Sequence, residues 1–362
     1  MIDFEPSEEQ SLVVETVRQF AENEIHPKAR ECEESHALPG DVIRHAHELG
    51  LVSNAIEASC GGGGERSAVT GVLVAEELAA GDLSIALAIL SPALTALSIQ
   101  DLGSAEQKQR WLPAFTGADF VPGSLALVEP GFESDPYRPT TRASRAGDGW
   151  QLTGSKCFVP WLEGAEIFVT VAATDAGPRA FVVPRDAAGL EAKPEANMGL
   201  CALPTAELSF SGVAVGQDAL LGEGDGVDAT ALITRGRVAL AATAVGVARA
   251  AYDIAREYAK EREAFGAPIA TKQAIAFKLA DMAIEIDGAR LLAWEAAWLL
   301  DEGRDAGRAA ALARLQAARV ALEVTDGAVQ VLGGHGYIRD YLPELHLRNA
   351  RGFAHFEALA LV

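Results

Sequence analysis

Apolar positions along the 362 residues fall into two rhythms. From residue 7 to about 118 they recur at three and four, the spacing of one helix face. Ser7 with Gln10 and Ser104 with Gln107 fit the S-x-x-E/Q capping box, which predicts helix starts just after each serine. Between them AVTGVLVAEELAAGDLSIALAIL is rich in Ala and Leu with few charges, as a largely buried helix pair requires. From 120 to 222 the rhythm shortens. GWQLTGSKCFV, EIFVTVAAT, RAFVVPRD and TAELSFSGVAV are β-rich runs set apart by Gly, Pro and Asp. From about 226 the helical spacing returns over many turns in VALAATAVGVARAAYDIAREYAKERE and KQAIAFKLADMAIEIDGARLLAWEAAWLL. Long helices joined by short loops predict a bundle. The expected architecture is mainly α with a central β domain: an N-terminal helical domain (1–118), a β-barrel or sandwich middle domain (119–225) and a C-terminal four-helix bundle (226–362).

Composition narrows the function. A formal charge of -21 disfavours a nucleic-acid partner, because phosphate binding depends on clustered Lys and Arg. The four cysteines, Cys32, Cys60, Cys157 and Cys201, lack the C-x-x-C spacing of a metal or redox pair and are expected to be reduced packing residues. The start MIDFEPSEEQ is acidic where a signal peptide is basic, and no uncharged apolar run is read as reaching the ~18 residues of a membrane span. The expectation is a cytoplasmic protein with no metal and no membrane partner.

Three motifs carry the chemistry. LALVEPGFESD (125–135) resembles the A-x-T-E-P-x-x-G-S-D loop of the acyl-CoA dehydrogenase family, EREAFGAPI (261–269) resembles its E-R-x-x-F-G, and QVLGGHGY (330–337) resembles its Q-x-x-G-G-x-G-[FY]. Each is weak alone, but all three stand in order in a helix, strand, helix layout. The resemblance covers essentially the whole chain. It implies an FAD flavoprotein that desaturates an acyl-CoA thioester between its α and β carbons and hands electrons to an electron-transfer flavoprotein. A carboxylate takes the α proton while donors steady the carbonyl as charge develops there. RNARGFAHFEAL resembles the family's base segment and puts Glu357 at the base. Members that carry the base on a bundle helix do so in a segment matching TRGRVALA, where this chain has Gly236. The alternative for Glu357 is a solvated side chain near a frayed end. Arg237 is expected to contact substrate or steady the base, or else to form an ordinary helix-surface ion pair.

Departures from the family pattern cluster. Val128 stands where a hydroxyl bonds the flavin, and Glu133 where a glycine admits the pyrophosphate. Phe158, Val159 and Pro160 replace the W-[IV]-[TS] that covers the ring system, and Ala358 to Val362 replace the G-T-x-x-x-Q after the base. Ser134 alone keeps a cofactor-binding role there. By contrast, the residues a neighbouring subunit lends to each flavin survive: Arg262, Phe265, Gln273, Gln330, Gly333 and Gly334. Arg262 offers a forked contact to phosphate, and the paired glycines permit close approach. One-sided loss suggests a subunit of an α2β2 enzyme that completes its partner's FAD, resembling pairs of actinobacterial steroid side-chain degradation. A self-sufficient homotetramer using Glu357 and a non-catalytic binding or scaffold homologue remain as alternatives. GGGG (61–64), with no Lys-Ser/Thr after it, is expected to be a flexible loop. His335 and His355 are expected to have no catalytic role, and Trp161 to pack a turn.

Overall fold

The computed structural model describes residues 5–362. Both capping boxes form as expected: the Ser7 and Ser104 hydroxyls accept from the amides of Gln10 and Gln107, whose side chains reach back to the serine amides. They start α1 (Glu8–Phe20) and a later helix α6 (Ala105–Trp111). Between them lie α2 (Ala29–Ser35), α3 (Gly40–Glu48), α4 (Ala68–Gly81) and α5 (Leu83–Leu102). The buried pair is α4 and α5, with Asp82 capping the second by accepting from the Ile85 amide. Burial raises the Asp82 carboxyl to about 6.

α5 corrects one expectation. By length and composition it could cross a membrane, as could the first bundle helix. Nearly every residue of α5 is buried in protein, because it passes beneath the β domain with Leu94 and Leu97 against Leu125, Val169 and Val171. A core helix covered on every side needs no polar face.

The middle region holds β1 (Leu125–Ala126), β2 (Arg142–Ala146), β3 (Gly149–Pro160), β4 (Ile167–Thr174), β5 (Gly177–Pro184), β6 (Leu190–Pro194) and β7 (Thr205–Gly216). They form one sheet in the order β1-β4-β2-β3-β7-β6, with β5 paired to β4. β1 and β2 meet β4 in parallel; the other pairings are antiparallel. The strands β2 and β6 had no apolar signal, since RASRA and LEAKP leave most positions exposed. Backbone pairing alone makes them strands. Between Lys156 and Val159 the β3–β7 register slips, and Phe158 sits there at φ 53°, a bulge that re-aims its ring out of the sheet.

The last region is a bundle of α7 (Thr230–Glu261), α8 (Gln273–Asp301) and α9 (Gly307–Leu332), completed after the short turn α10 (Gly334–Tyr337) by α11 (Pro343–Gly352). A hairpin of β8 (Glu263–Ala264) and β9 (Ala267–Pro268) joins α7 to α8. α4 lies along α7 so closely that a Cβ on Gly246 would stand 2.3 Å from the Glu76 carbonyl. The two acids of α4 are buried but answered: Glu77 by Arg249 (2.6 Å) and Arg18 (2.9 Å), Glu76 by Arg290 (3.0 Å) and Arg249 (3.2 Å). Each lies where an unpaired charge would be costly, so the network ties the first region to the bundle.

The glycine run also differs from expectation. The amides of Gly62, Gly63, Gly64 and Glu65 donate to carbonyls of residues 53–57, and a Cβ on Gly62 would lie 2.2 Å from the Ile56 carbonyl. It is a tight, pinned turn, with its donors already spent. All four cysteines are free thiols, three of them buried.

Candidate functional site

The carboxylate expected to act as base follows α11 after one irregular turn. The amides of His355 and Phe356 donate to the Gly352 carbonyl, and the Phe356 ring lies over Gly352, where a Cβ would come within 2.0 Å of the ring. This turn throws Glu357 back toward the bundle. Arg237 on α7 donates through Nε and Nη2 to Oε1 at 3.2 and 3.1 Å, and its Nε stands 3.4 Å from Oε2. Arg314 on α9 lies 3.3 Å from Oε1 and donates from Nη2 to the Phe356 carbonyl at 2.6 Å. Burial lowers the Arg314 pKa, and Glu357 acts in the opposite sense. Two guanidiniums around one carboxylate leave the cluster net positive. The side chain of Glu357 is 11% exposed, and Ala358 to Val362 behind it are buried. The frayed, solvated end is therefore excluded. Arg237 also donates to the Tyr137 hydroxyl at 3.2 Å and sits over its ring.

On the β side of this cluster lies the loop 128–135. Its root is rigid. Glu129 accepts from Lys156 Nζ at 2.9 Å, from the Thr140 amide and hydroxyl at 2.7 Å each, and from the Thr141 amide at 2.7 Å. Burial pushes the Glu129 carboxyl up, but Lys156 and these donors outweigh it and hold it near about 2. Burial pulls the fully enclosed Lys156 down to about 8, opposed by Glu129. The loop's tip is exposed: Phe132 projects fully into solvent beside exposed Glu133, and the Ser134 hydroxyl accepts from the Glu129 amide at 3.2 Å.

Facing it across the sheet edge, the Phe158 ring meets Phe356 edge to face at 6.1 Å. The Phe158 amide is already spent on both Glu195 oxygens, at 3.1 Å each. Val128 and Pro160 add no side-chain donor. Trp161 lies edge-on to Phe168 beneath Arg185, 3.9 Å from the ring centroid. For a diphosphate this lining fits poorly: the Phe158 amide and Lys156 are used internally, and the exposed charges on the loop, Glu133 and Asp135, are carboxylates.

The bundle end presents the opposite picture. Arg262 caps α7, Phe265 lies on the β8–β9 turn at φ 55° and 97% exposed, and Gln273 opens α8. Gln330, Gly333 and Gly334 sit where α9 ends. All six are exposed. Among the described residues the Arg262 guanidinium has no hydrogen bond or ion pair. Gly333, at φ 59°, needs glycine for its backbone, but nothing lies within 4 Å of a Cβ on Gly334. A free guanidinium beside an open glycine turn fits an anionic group brought from outside. Behind the turn His335 Nδ1 meets the Tyr258 hydroxyl at 2.9 Å and its ring stacks on Tyr341, a packing role.

The six bundle residues thus share one end, while Glu357 and Arg237 form a separate cluster with Tyr137. Arg314 was missed by sequence reasoning, because it reaches Glu357 only through the packing of α9 against the chain after α11. Nothing in its local sequence marks it.

Comparison with known proteins agrees with this layout. Models of the acyl-CoA dehydrogenase N-terminal, middle and C-terminal domains match residues 7–119, 124–213 and 222–357. The chain is 38% identical over 354 residues to the mitochondrial short-chain specific acyl-CoA dehydrogenase of Bos taurus, covering 95% of this chain and 85% of that protein. It is 37% identical over 356 residues to the cyclohex-1-ene-1-carbonyl-CoA dehydrogenase of Syntrophus aciditrophicus, covering 96% and 86%. Among solved structures, butyryl-CoA dehydrogenase from Megasphaera elsdenii superposes with a TM-score of 0.89 at 31% identity over 98% of this chain and 96% of that one. A glutaryl-CoA dehydrogenase from Mycobacterium smegmatis, in complex with FADH2, superposes with a TM-score of 0.88 at 30% identity, covering 97% and 91%.

Proposed function

The chain belongs to the acyl-CoA dehydrogenase family, and from that premise we propose that it works as one subunit of an α2β2 enzyme, completing the FAD site of a partner subunit. The family's reaction is the FAD-dependent dehydrogenation of an acyl-CoA. Bound FAD supplies the hydride acceptor for that step. What this chain supplies is positioning: Arg262 meets the diphosphate with a forked, charge-assisted contact, the Gly333–Gly334 turn lets backbone approach it, and Phe265, Gln273 and Gln330 close around it.

The observation that carries this reading is the contrast in spare donors. On the chain's own side the Phe158 amide and the Lys156 ammonium are both taken up inside the chain, whereas the Arg262 guanidinium is exposed with no partner among the described residues. A second feature favours assembly through the bundle. Phe277, Ile284, Leu291 and Trp298 recur every seven residues along α8, each exposed by 45% or more. Such a stripe is the seam of a helix packed on another chain.

Its acyl group stays open between fatty acyl and steroid side-chain thioesters, and electrons leave to an electron-transfer flavoprotein. The test is flavin content. The chain purified alone should carry well under one FAD, and co-expression with a second acyl-CoA dehydrogenase-like chain should give two per four chains.

One observation favours the homotetramer as second reading: Glu357 is enclosed and held by Arg237 and Arg314, as a positioned base is. In that case its Oε2, the less engaged oxygen, takes the α proton. Glu357→Gln separates the readings, abolishing desaturation with FAD retained if Glu357 is the base and leaving a heteromer active if it is not.

A further inference from the structure

Residues Ala358 to Val362 form no helix, strand or hydrogen-bonded turn, yet all five are buried, none more than 6% exposed. Chain in this state is unusual, because buried backbone without regular pairing forgoes hydrogen bonds that water would supply. The segment is held by its side chains instead. Ala358 and Leu361 join the cluster of Leu94, Leu97, Leu232 and Ile233, while Leu359, Ala360 and Val362 join that of α4 and α7. It runs in a slot between three helices, α4, α5 and α7. Two of them lack a Cβ where it passes: one on Gly236 would stand 3.2 Å from the Ala358 Cα, and one on Gly71 would stand 3.0 Å from Val362 Cγ1. At the far end the Val362 carbonyl accepts from Arg66 at 2.9 Å and Arg235 at 3.0 Å, both of which pair with Asp101.

The slot begins at Glu357 and continues past Leu361 and Val362 into a half-open pocket of about 660 Å³, with Leu90, Ala93, Leu97 and Ala239 on its inner wall and Gln10, Arg66 and Thr70 among its polar lining. A thioester with its α carbon against Glu357 must send its alkyl chain into apolar space next to that carboxylate, and this is the space the slot provides.

We propose that Ala358–Val362 and an acyl chain compete for this one slot, so that the seated segment decides that this subunit takes no acyl group. The inference rests on the heteromeric reading, since a homotetramer using Glu357 would need this slot free for its own substrate. The segment is an internal occupant in place of an alkyl chain, anchored by Arg66 and Arg235 at one end and by the pinned Glu357 at the other.

The test uses the full chain purified on its own, with CoA and octanoyl-CoA as probes. Wild type should bind the two within threefold of each other, because the alkyl chain finds its slot filled. Leu361→Asp, which cannot stay in the slot, should prefer octanoyl-CoA by at least tenfold. In case that variant does not fold, Ala360→Cys in a Cys201→Ser background gives a small change with a local readout. The introduced thiol should react with a water-soluble disulfide at least 100-fold more slowly than in denaturant, and any speeding by octanoyl-CoA that CoA does not cause would support competition. Octanoyl-CoA binding ten or more times tighter than CoA with the thiol still protected would overturn the proposal, as would a thiol that reacts freely without ligand. Flavin content, read on the same sample, bears only on the heteromeric reading: one FAD per chain would defeat that reading and leave the thiol result untouched.

Discussion

The β-domain edge and the bundle end use their polar residues in opposite directions. At the edge, Lys156 and Glu129 are buried against each other, and the Phe158 amide is closed by Glu195. At the bundle end, Arg262 is solvent-facing and the turn at Gly333 and Gly334 is open. Charges turned inward stabilise the chain that owns them; charges turned outward await a ligand. The lesson is that a family motif can persist in letters while changing employment: Glu129 and Ser134 survive from the family loop, but here they brace the loop itself.

If that division is correct, substitutions at the two places should fail in different ways. Lys156→Met should have the largest effect, leaving Glu129 buried without its partner at a cost of ~3–5 kcal/mol. Denaturant unfolding should show it, with no separate effect on a partner's flavin. Arg262→Ala should do the reverse. It should weaken FAD retention in the assembled enzyme by ~1.5–3 kcal/mol, roughly ten- to a hundredfold, as for a lost charge-assisted bond. The melting of this chain alone should move by less than about 0.5 kcal/mol, as for an exposed side chain without partners.

Acid should also act on the edge. The Glu129 carboxyl is held at about 2 in the fold against an ordinary value of 4.5. Its contribution is complete above pH 4.5 and is lost as pH falls toward 2, because the unfolded chain then binds a proton the folded one refuses. Melting temperature followed from pH 6 to 2.5 should fall across that window, and less steeply in Glu129→Gln. The smallest effect is expected from Glu133→Gly. It removes a carboxylate from the loop tip, yet it should not restore flavin to the chain alone, since Phe158, Val128 and Pro160 still offer no free donor. Flavin recovered by that single change would show that repulsion, and not missing donors, keeps the edge empty.

Much of this was legible in the sequence, for definite reasons. Capping boxes are local, so Ser7 and Ser104 mark their helices without tertiary help. The buried pair α4–α5 and the long bundle helices follow from periodicity over many turns. Strands β2 and β6 did not, because RASRA and LEAKP are mostly exposed and owe their form to their neighbours. α5 was underrated as an apolar run since its Ser, Thr and Gln are satisfied or enclosed within the core; Ser98, for instance, donates to the Leu94 carbonyl. At the site, the resemblance to the family named the six bundle residues that share one end, while Arg314, Arg66 and Arg235 come from packing alone. The fate of ALALV lay in plain sight: five apolar residues in a row after Glu357 favour burial over a frayed end.

The most direct test is the number of flavins. Purified alone, with its absorbance at 450 nm compared with its protein content, this chain should hold far less than one FAD; co-purified with its partner, the assembly should hold two per four chains, and Arg262→Ala in this chain should strip them. One tightly bound FAD per chain in the protein by itself, unaffected in stoichiometry by any partner, would contradict the account.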